Sequence, residues 1–174
     1  MTTDGGGSRA SRIRETLTEA ANAYAHPRRL HGENSFRLAC KVSFADDEPD
    51  DLDPGLPTHL REFWAVCQEA TLFLDVDYGQ WGLRLFGAAT SATETLKCRE
   101  WMTNGLLDGD VVIGEFLGDL ELLVCDVQGA GQLLVSQPLD PRTSWHRVGS
   151  TMAEFLRMYV DNAGEKFWVR RDQT

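Results

Sequence analysis

The sequence predicts an α+β protein: a single domain with a central, mostly antiparallel sheet of about six strands flanked by helices. Three observations carry this expectation. Apolar residues recur at helical spacing near both ends of the chain, and runs of strand-like alternation crowd the middle and the second half. The resulting order is helix, strand, helix, a run of strands with one helix inserted, then helix, which lacks the βαβ alternation of a parallel sheet. Finally, 174 residues with 42% hydrophobic and 25% charged side chains can bury one sizeable core without disulfide or metal staples.

Met1 to Ala10 reads as a flexible leader by its Thr, Gly and Ser content, the domain as 11–168, and 169–174 as a tail. Ser8 or Ser11 caps a first helix whose Ile13, Leu17, Ala20, Ala21 and Tyr24 fall on one face, and Pro27 ends it. Ser35 to Phe44 alternates strictly, with Phe36, Leu38, Cys40, Val42 and Phe44 on one side, and is the clearest strand. Leu56-Pro57 opens a second helix, since proline suits the first turn, and Leu60, Phe63, Trp64 and Cys67 follow at helical spacing. Thr71 to Asp77 and Trp81 to Phe86 are two strands joined by Tyr78-Gly79-Gln80. Ser91-x-x-Glu94 has the form of a capping box, starting a helix with Leu96, Cys98 and Trp101 that breaks at Asn104-Gly105. Val111 to Ile113, Leu120 to Cys125 and Gln132 to Ser136 then form a meander punctuated by Gly118-Asp119 and Gly129-Ala130-Gly131. Pro138 to Arg147 is irregular. Thr151-x-x-Glu154 caps a last helix with Met152, Phe155, Leu156, Tyr159 and Val160 on its buried stripe.

Charge narrows the classes of partner. With 17 basic and 27 acidic residues and a net charge of -10, the chain repels phosphate backbones and anionic lipid, so neither nucleic acid nor a membrane is an expected partner. Six of the acids, Asp46, Asp47, Glu48, Asp50, Asp51 and Asp53, stand around Pro49 in one short segment. No packed core accepts such a run, which predicts a solvated loop. The start of the chain has no apolar signal core, and no stretch approaches the roughly 20 apolar residues of a membrane span, so the expected location is the cytoplasm. Cys40, Cys67, Cys98 and Cys125 lie far apart in apolar stretches, as buried free thiols do, and form no Cys-x-x-Cys pair.

Candidate chemistry competes with plainer roles at every position. His59 and Cys67, placed on one helix, are separated by a rise of about 12 Å, too far for a nucleophile and its base. His26, His31, His59 and His146 offer no i, i+4 pair for a helical metal site. Asp75-x-Asp77, with both carboxylates on one side of a strand end, and Asp108-Gly109-Asp110 would hold a divalent cation through hard oxygens, but the further ligands of a calcium loop are missing and solvated acids are the plainer reading. Gly129-x-Gly131 lacks the rest of a dinucleotide fingerprint, and no Walker-type Gly-Lys-Ser/Thr occurs. Glu115, Asp119 and Glu121 around Gly114 and Gly118 would suit glycosidase carboxylates only if something fixed their separation. Trp81 and Trp101 are either core residues or exposed anchors for a partner. Neither a metal nor a cofactor is expected.

Several separated segments share a family pattern: Leu56-Pro57-x-x-Leu60-x-x-Phe63-Trp64, Tyr78-Gly79-Gln80-Trp81-Gly82-Leu83, and Val112-Ile113-Gly114-Glu115-Phe116-Leu117-Gly118-Asp119-x-Glu121-Leu122-Leu123, closed by the helix around Phe155, Leu156 and Tyr159. Together, over about Leu56 to Trp168, they resemble the SUKH superfamily of Smi/Knr-type cell-wall-synthesis regulators and bacterial toxin-immunity proteins. Gln68-Glu69-Ala70 stands where members often carry an Asn-Gly-Gly turn, and Ser35 to Asp53 has no counterpart. The resemblance implies a helix-flanked antiparallel sheet, no catalytic residues, and binding of a cognate toxin domain such as a nuclease or deaminase.

The expected function is therefore that of a non-enzymatic immunity protein that neutralises a protein toxin by occlusion, the alternative being an intracellular regulatory scaffold that binds a cellular protein. A hydrolase using Asp75, Asp77 or Glu115 is a third reading and requires a closed pocket joining them to a base or metal. On the binding reading, the six acids of 46–53 steer association, and Asp75, Asp77, Tyr78, Trp81, Glu115 and Asp119 contribute the interface.

Overall fold

The computed structural model describes residues 8–29, 36–102 and 105–169. Most of the leader and tail, together with His31, Ser35 and Asn104, lies outside the described residues. The elements run α1 (Arg9–Ala23), β1 (Arg28–Arg29), β2 (Arg37–Phe44), α2 (Thr58–Trp64), β3 (Cys67–Asp75), β4 (Leu83–Leu85), α3 (Ala88–Trp101), β5 (Val111–Phe116), β6 (Leu122–Asp126), β7 (Gln132–Ser136), β8 (His146–Gly149) and α4 (Met152–Asp161). The class is α+β, with four helices and one eight-stranded sheet in which every strand pairs antiparallel with its chain neighbour.

About six strands were too few to expect, and the two extra ones are the sheet's edges. Arg28–Arg29 pairs with Leu38 and Arg37, and His146 and Arg147 pair with Val135 and Leu134. Neither edge carries an alternating apolar pattern, because an edge strand with charged side chains has little to bury. Three other boundaries shift. Cys67 does not extend α2 but begins β3, facing Phe44 of β2. Leu120 precedes β6 as an exposed residue at positive φ. Ser91 does not cap α3, whose N-cap is Gly87; it sits within the helix, fully buried. Ser8, not Ser11, caps α1, its side chain accepting the Ser11 amide at 3.2 Å. Thr151 caps α4 by accepting the Glu154 amide at 3.2 Å, and Glu154 in return takes the Ser150 amide at 2.7 Å.

Alternation along the central strands feeds two cores. Leu123 and Cys125 of β6 and Leu133 and Val135 of β7 enter a large core with α1, α2 and α4, while Leu122 and Val124 turn to a smaller one with Phe86, Cys98, Met102 and Trp145. The large core centres on aromatic rings: Phe73 meets Tyr24 and Tyr159 edge-on at 4.9 and 5.6 Å, and Phe155 stacks on Tyr159 at 5.7 Å. Each such buried ring or leucine contributes about 1.5–3 kcal/mol over its exposed state. Gly114 belongs to the ladder by necessity, since a Cβ there would lie 2.7 Å from the Arg84 carbonyl oxygen.

Candidate functional site

The acidic run leaves β2 and returns to α2 over the outside of the protein. Its path is set by its few apolar members: Leu52 and Leu56 pack against the large core, and the Ala45 amide donates to Val66 O at 2.8 Å. Burying those side chains turns Asp46, Asp47, Glu48, Asp50, Asp51 and Asp53 to solvent. Glu48 is paired with Arg61 at 2.8 Å, and Asp53 accepts the Gly55 amide at 2.8 Å. Asp50 and Asp51, with Asp53, form the rim of a groove of about 760 Å³ between this loop and α3.

The other wall is a helix with its polarity inverted. Ser91, Thr95 and Cys98 face inward, where Ser91 Oγ donates to Val112 O at 2.5 Å and Thr95 Oγ1 accepts the Val112 amide at 2.9 Å while donating to Ser91 O at 2.7 Å. Outward, Ala89 and Ala92 are exposed and Leu96 is 64% exposed. With Leu56, Trp64 and Val127 these make the groove predominantly apolar. At its far end Arg99 donates through Nη2 to Asp110 O at 3.0 Å, while its Nε is buried without a hydrogen-bond partner among the described residues.

Of the expected interface residues, Trp81 and Asp119 are brought together at Lys166, and Asp75 is withdrawn from the surface. Asp75 is 1% exposed, and its carboxylate accepts the amides of Asp77, Tyr78 and Gln80 at 2.9, 3.2 and 3.4 Å. It builds the turn and offers nothing to a partner, which corrects its assignment to the interface. Nor do Asp75 and Asp77 share a side: Asp77 points outward into a forked pair with Arg37, at 3.0 Å to Nε and 2.5 Å to Nη2. That hydrogen-bonded guanidinium lowers the Asp77 pKa. Tyr78 is exposed and meets Phe36 edge-on at 6.3 Å. Trp81 is half-buried against the large core, with Lys166 Nζ 5.5 Å from its ring.

The remaining acids are occupied by cations. Glu115 lies 3.5 Å from Arg84 across β4 and β5, whereas Asp119 and Glu121 share Lys166, which is 2.5 Å from Glu121. Asp110, read as part of an acidic turn, is instead buried against Arg142 at 2.5 Å. His59 is a core residue: its Nε2 lies 2.8 Å from Gly131 O and its Nδ1 accepts the Met152 amide at 3.3 Å. These bonds fix the neutral Nε2–H tautomer, and burial lowers the pKa. All four thiols are free and buried, and burial pushes Cys40 up to about 11 and Cys67 and Cys125 up to about 12.

Among the described residues no group of three or more His, Cys, Asp or Glu is placed to hold a metal ion, and no helix is long and apolar enough to cross a membrane. Leu96 and Trp101 share α3 with the buried Cys98 yet are both largely exposed, so no apolar periodicity marks the groove's helical wall. A signal was present in Ser91 and Thr95, polar residues at the spacing that α3 buries. Compared with protein-family models, with curated proteins and with solved structures, the chain matches none.

Proposed function

We propose that this chain is a non-catalytic protein-binding domain of the SUKH type, acting in the cytoplasm as an immunity protein that neutralises a cognate toxin by covering its active site or substrate path. The observation that carries this reading is the groove, apolar inside and bordered on one side by the exposed carboxylates of Asp50, Asp51 and Asp53. Such a surface suits a cationic protein, and toxins that act on nucleic acid present basic clefts. Exposed acids accelerate encounter, while desolvated apolar contacts hold the complex. The family resemblance over Leu56 to Trp168 supports the same class of function. Asp46 and Asp47, exposed beyond the groove, add to the steering field.

Coexpression with the product of the adjacent gene tests this. The expected result is restored growth and copurification of the two chains, and an association rate that falls as salt rises. A neighbouring gene product that is harmless alone and does not copurify would overturn the immunity reading in favour of a regulatory scaffold.

A further inference from the structure

We infer that the groove between the acidic loop and α3 receives an amphipathic helix of the partner, with lysine or arginine along the flank that faces Asp50, Asp51 and Asp53. This rests on the protein-binding reading and names the partner's element. Ala88 to Arg99 of α3 line the groove, a length of about 16 Å at 1.5 Å per residue, or three helical turns. The exposed Ala89 and Ala92 allow a second helix axis to approach to the near end of the 8–10 Å packing range. The walls are α3 and the acidic loop, with Trp64 of α2 and, at the floor, Val111 of β5 and Val127 after β6; β5 and β6 are interior strands, so neither edge strand of the sheet lies in the groove. An extended peptide would find no ladder there for its backbone, whereas a helix satisfies its own.

Charge decides the helix's second face. The rim acids attract a cationic flank, and Leu96 and Val127 take an apolar one. A second copy of this chain is disfavoured because it brings its own net charge of -10.

Two synthetic fluorescent peptides of identical composition, seven leucines and seven lysines, test the inference on the full chain. One orders them at helical spacing and the other in strict alternation. The helical peptide is expected to bind at least tenfold tighter, and Ala92→Trp, which fills the groove from an exposed position, to abolish that preference. Ala89→Trp serves the same purpose should the first variant lose its native circular dichroism. Equal affinity for the two peptides, or an unchanged preference in both folded variants, would overturn the inference. So would a concentration-dependent dimer that Ala92→Trp disperses. The protein-binding reading is scored separately: a folded Ala92→Trp chain that still copurifies with the neighbouring gene product refutes the helix in the groove alone, while a wild-type chain that fails to copurify refutes the broader reading.

Discussion

The guanidinium of Arg142 holds the carboxylate of Asp110 in a two-pronged grip, Nη1 lying 2.5 Å from Oδ2 and Nη2 3.1 Å from Oδ1. Asp110 also takes the Leu107 amide at 2.7 Å, and Arg142 reaches Gly105 O and Asp126, each at 3.1 Å. One side chain thereby ties the irregular segment after β7 to the approach to β5 and the end of β6.

Removing the arginine strands a buried negative charge, so Arg142→Ala is expected to lose about 3–5 kcal/mol of stability. Arg142→Lys keeps the charge but not the fork and should fall between variant and parent. Urea unfolding measures both, and a loss below about 1 kcal/mol in the alanine variant would show that the grip is not structural.

His59 predicts a pH dependence. Desolvation lowers its pKa in the folded state, so the unfolded chain binds the proton more readily. Stability from this group is complete above the unfolded value near 6.5 and is lost as pH falls through the folded value. His59→Gln should flatten the corresponding slope of unfolding free energy between about pH 7.5 and 5. An unchanged slope would locate the dependence elsewhere.

Thr95 carries the contact between α3 and β5. Thr95→Val keeps the shape but leaves the buried Val112 amide without its 2.9 Å acceptor, an expected cost of about 1–3 kcal/mol. Chemical denaturation checks this, and a variant as stable as the parent would mean that the amide finds another acceptor.

The thiols of Cys40, Cys67 and Cys125 are held neutral by burial, at about 11, 12 and 12, and thiolate is the reactive form. The native protein at pH 8 should resist a disulfide-exchange reagent, and all four cysteines should label on unfolding. Mass spectrometry counts them; prompt labelling of any of these three in the native state contradicts their placement.

These expectations depend on features that are unevenly written in the sequence. The alternation over Leu38, Cys40 and Val42 announces β2, and the Thr151 and Glu154 pair announces α4, because local pattern and tertiary burial agree there. Arg28–Arg29 and His146–Gly149 are strands by pairing alone, without a buried stripe to mark them. Ser91-x-x-Glu94 imitates a helix start, yet the Ser91 hydroxyl is spent on Val112. Asp75 and Asp77 have the same chemistry two residues apart and opposite fates. One is enclosed by three amides and the other is paired with Arg37, a distinction set by the turn and not by residue type. The acidic loop was legible as solvated; the apolar wall opposite it arises from the inward placement of Ser91, Thr95 and Cys98, which no local periodicity favours.

A sheet whose spatial order repeats its chain order can be assembled on the ribosome like a folding screen, each panel hinging onto the one just made. No panel has to wait for a later one to slot between it and its neighbour. The helices depart from this order, since α4, the latest, packs on α1 and α2, the two earliest. Until that clasp shuts, Phe73 of β3 goes without the Tyr159 ring that closes over it.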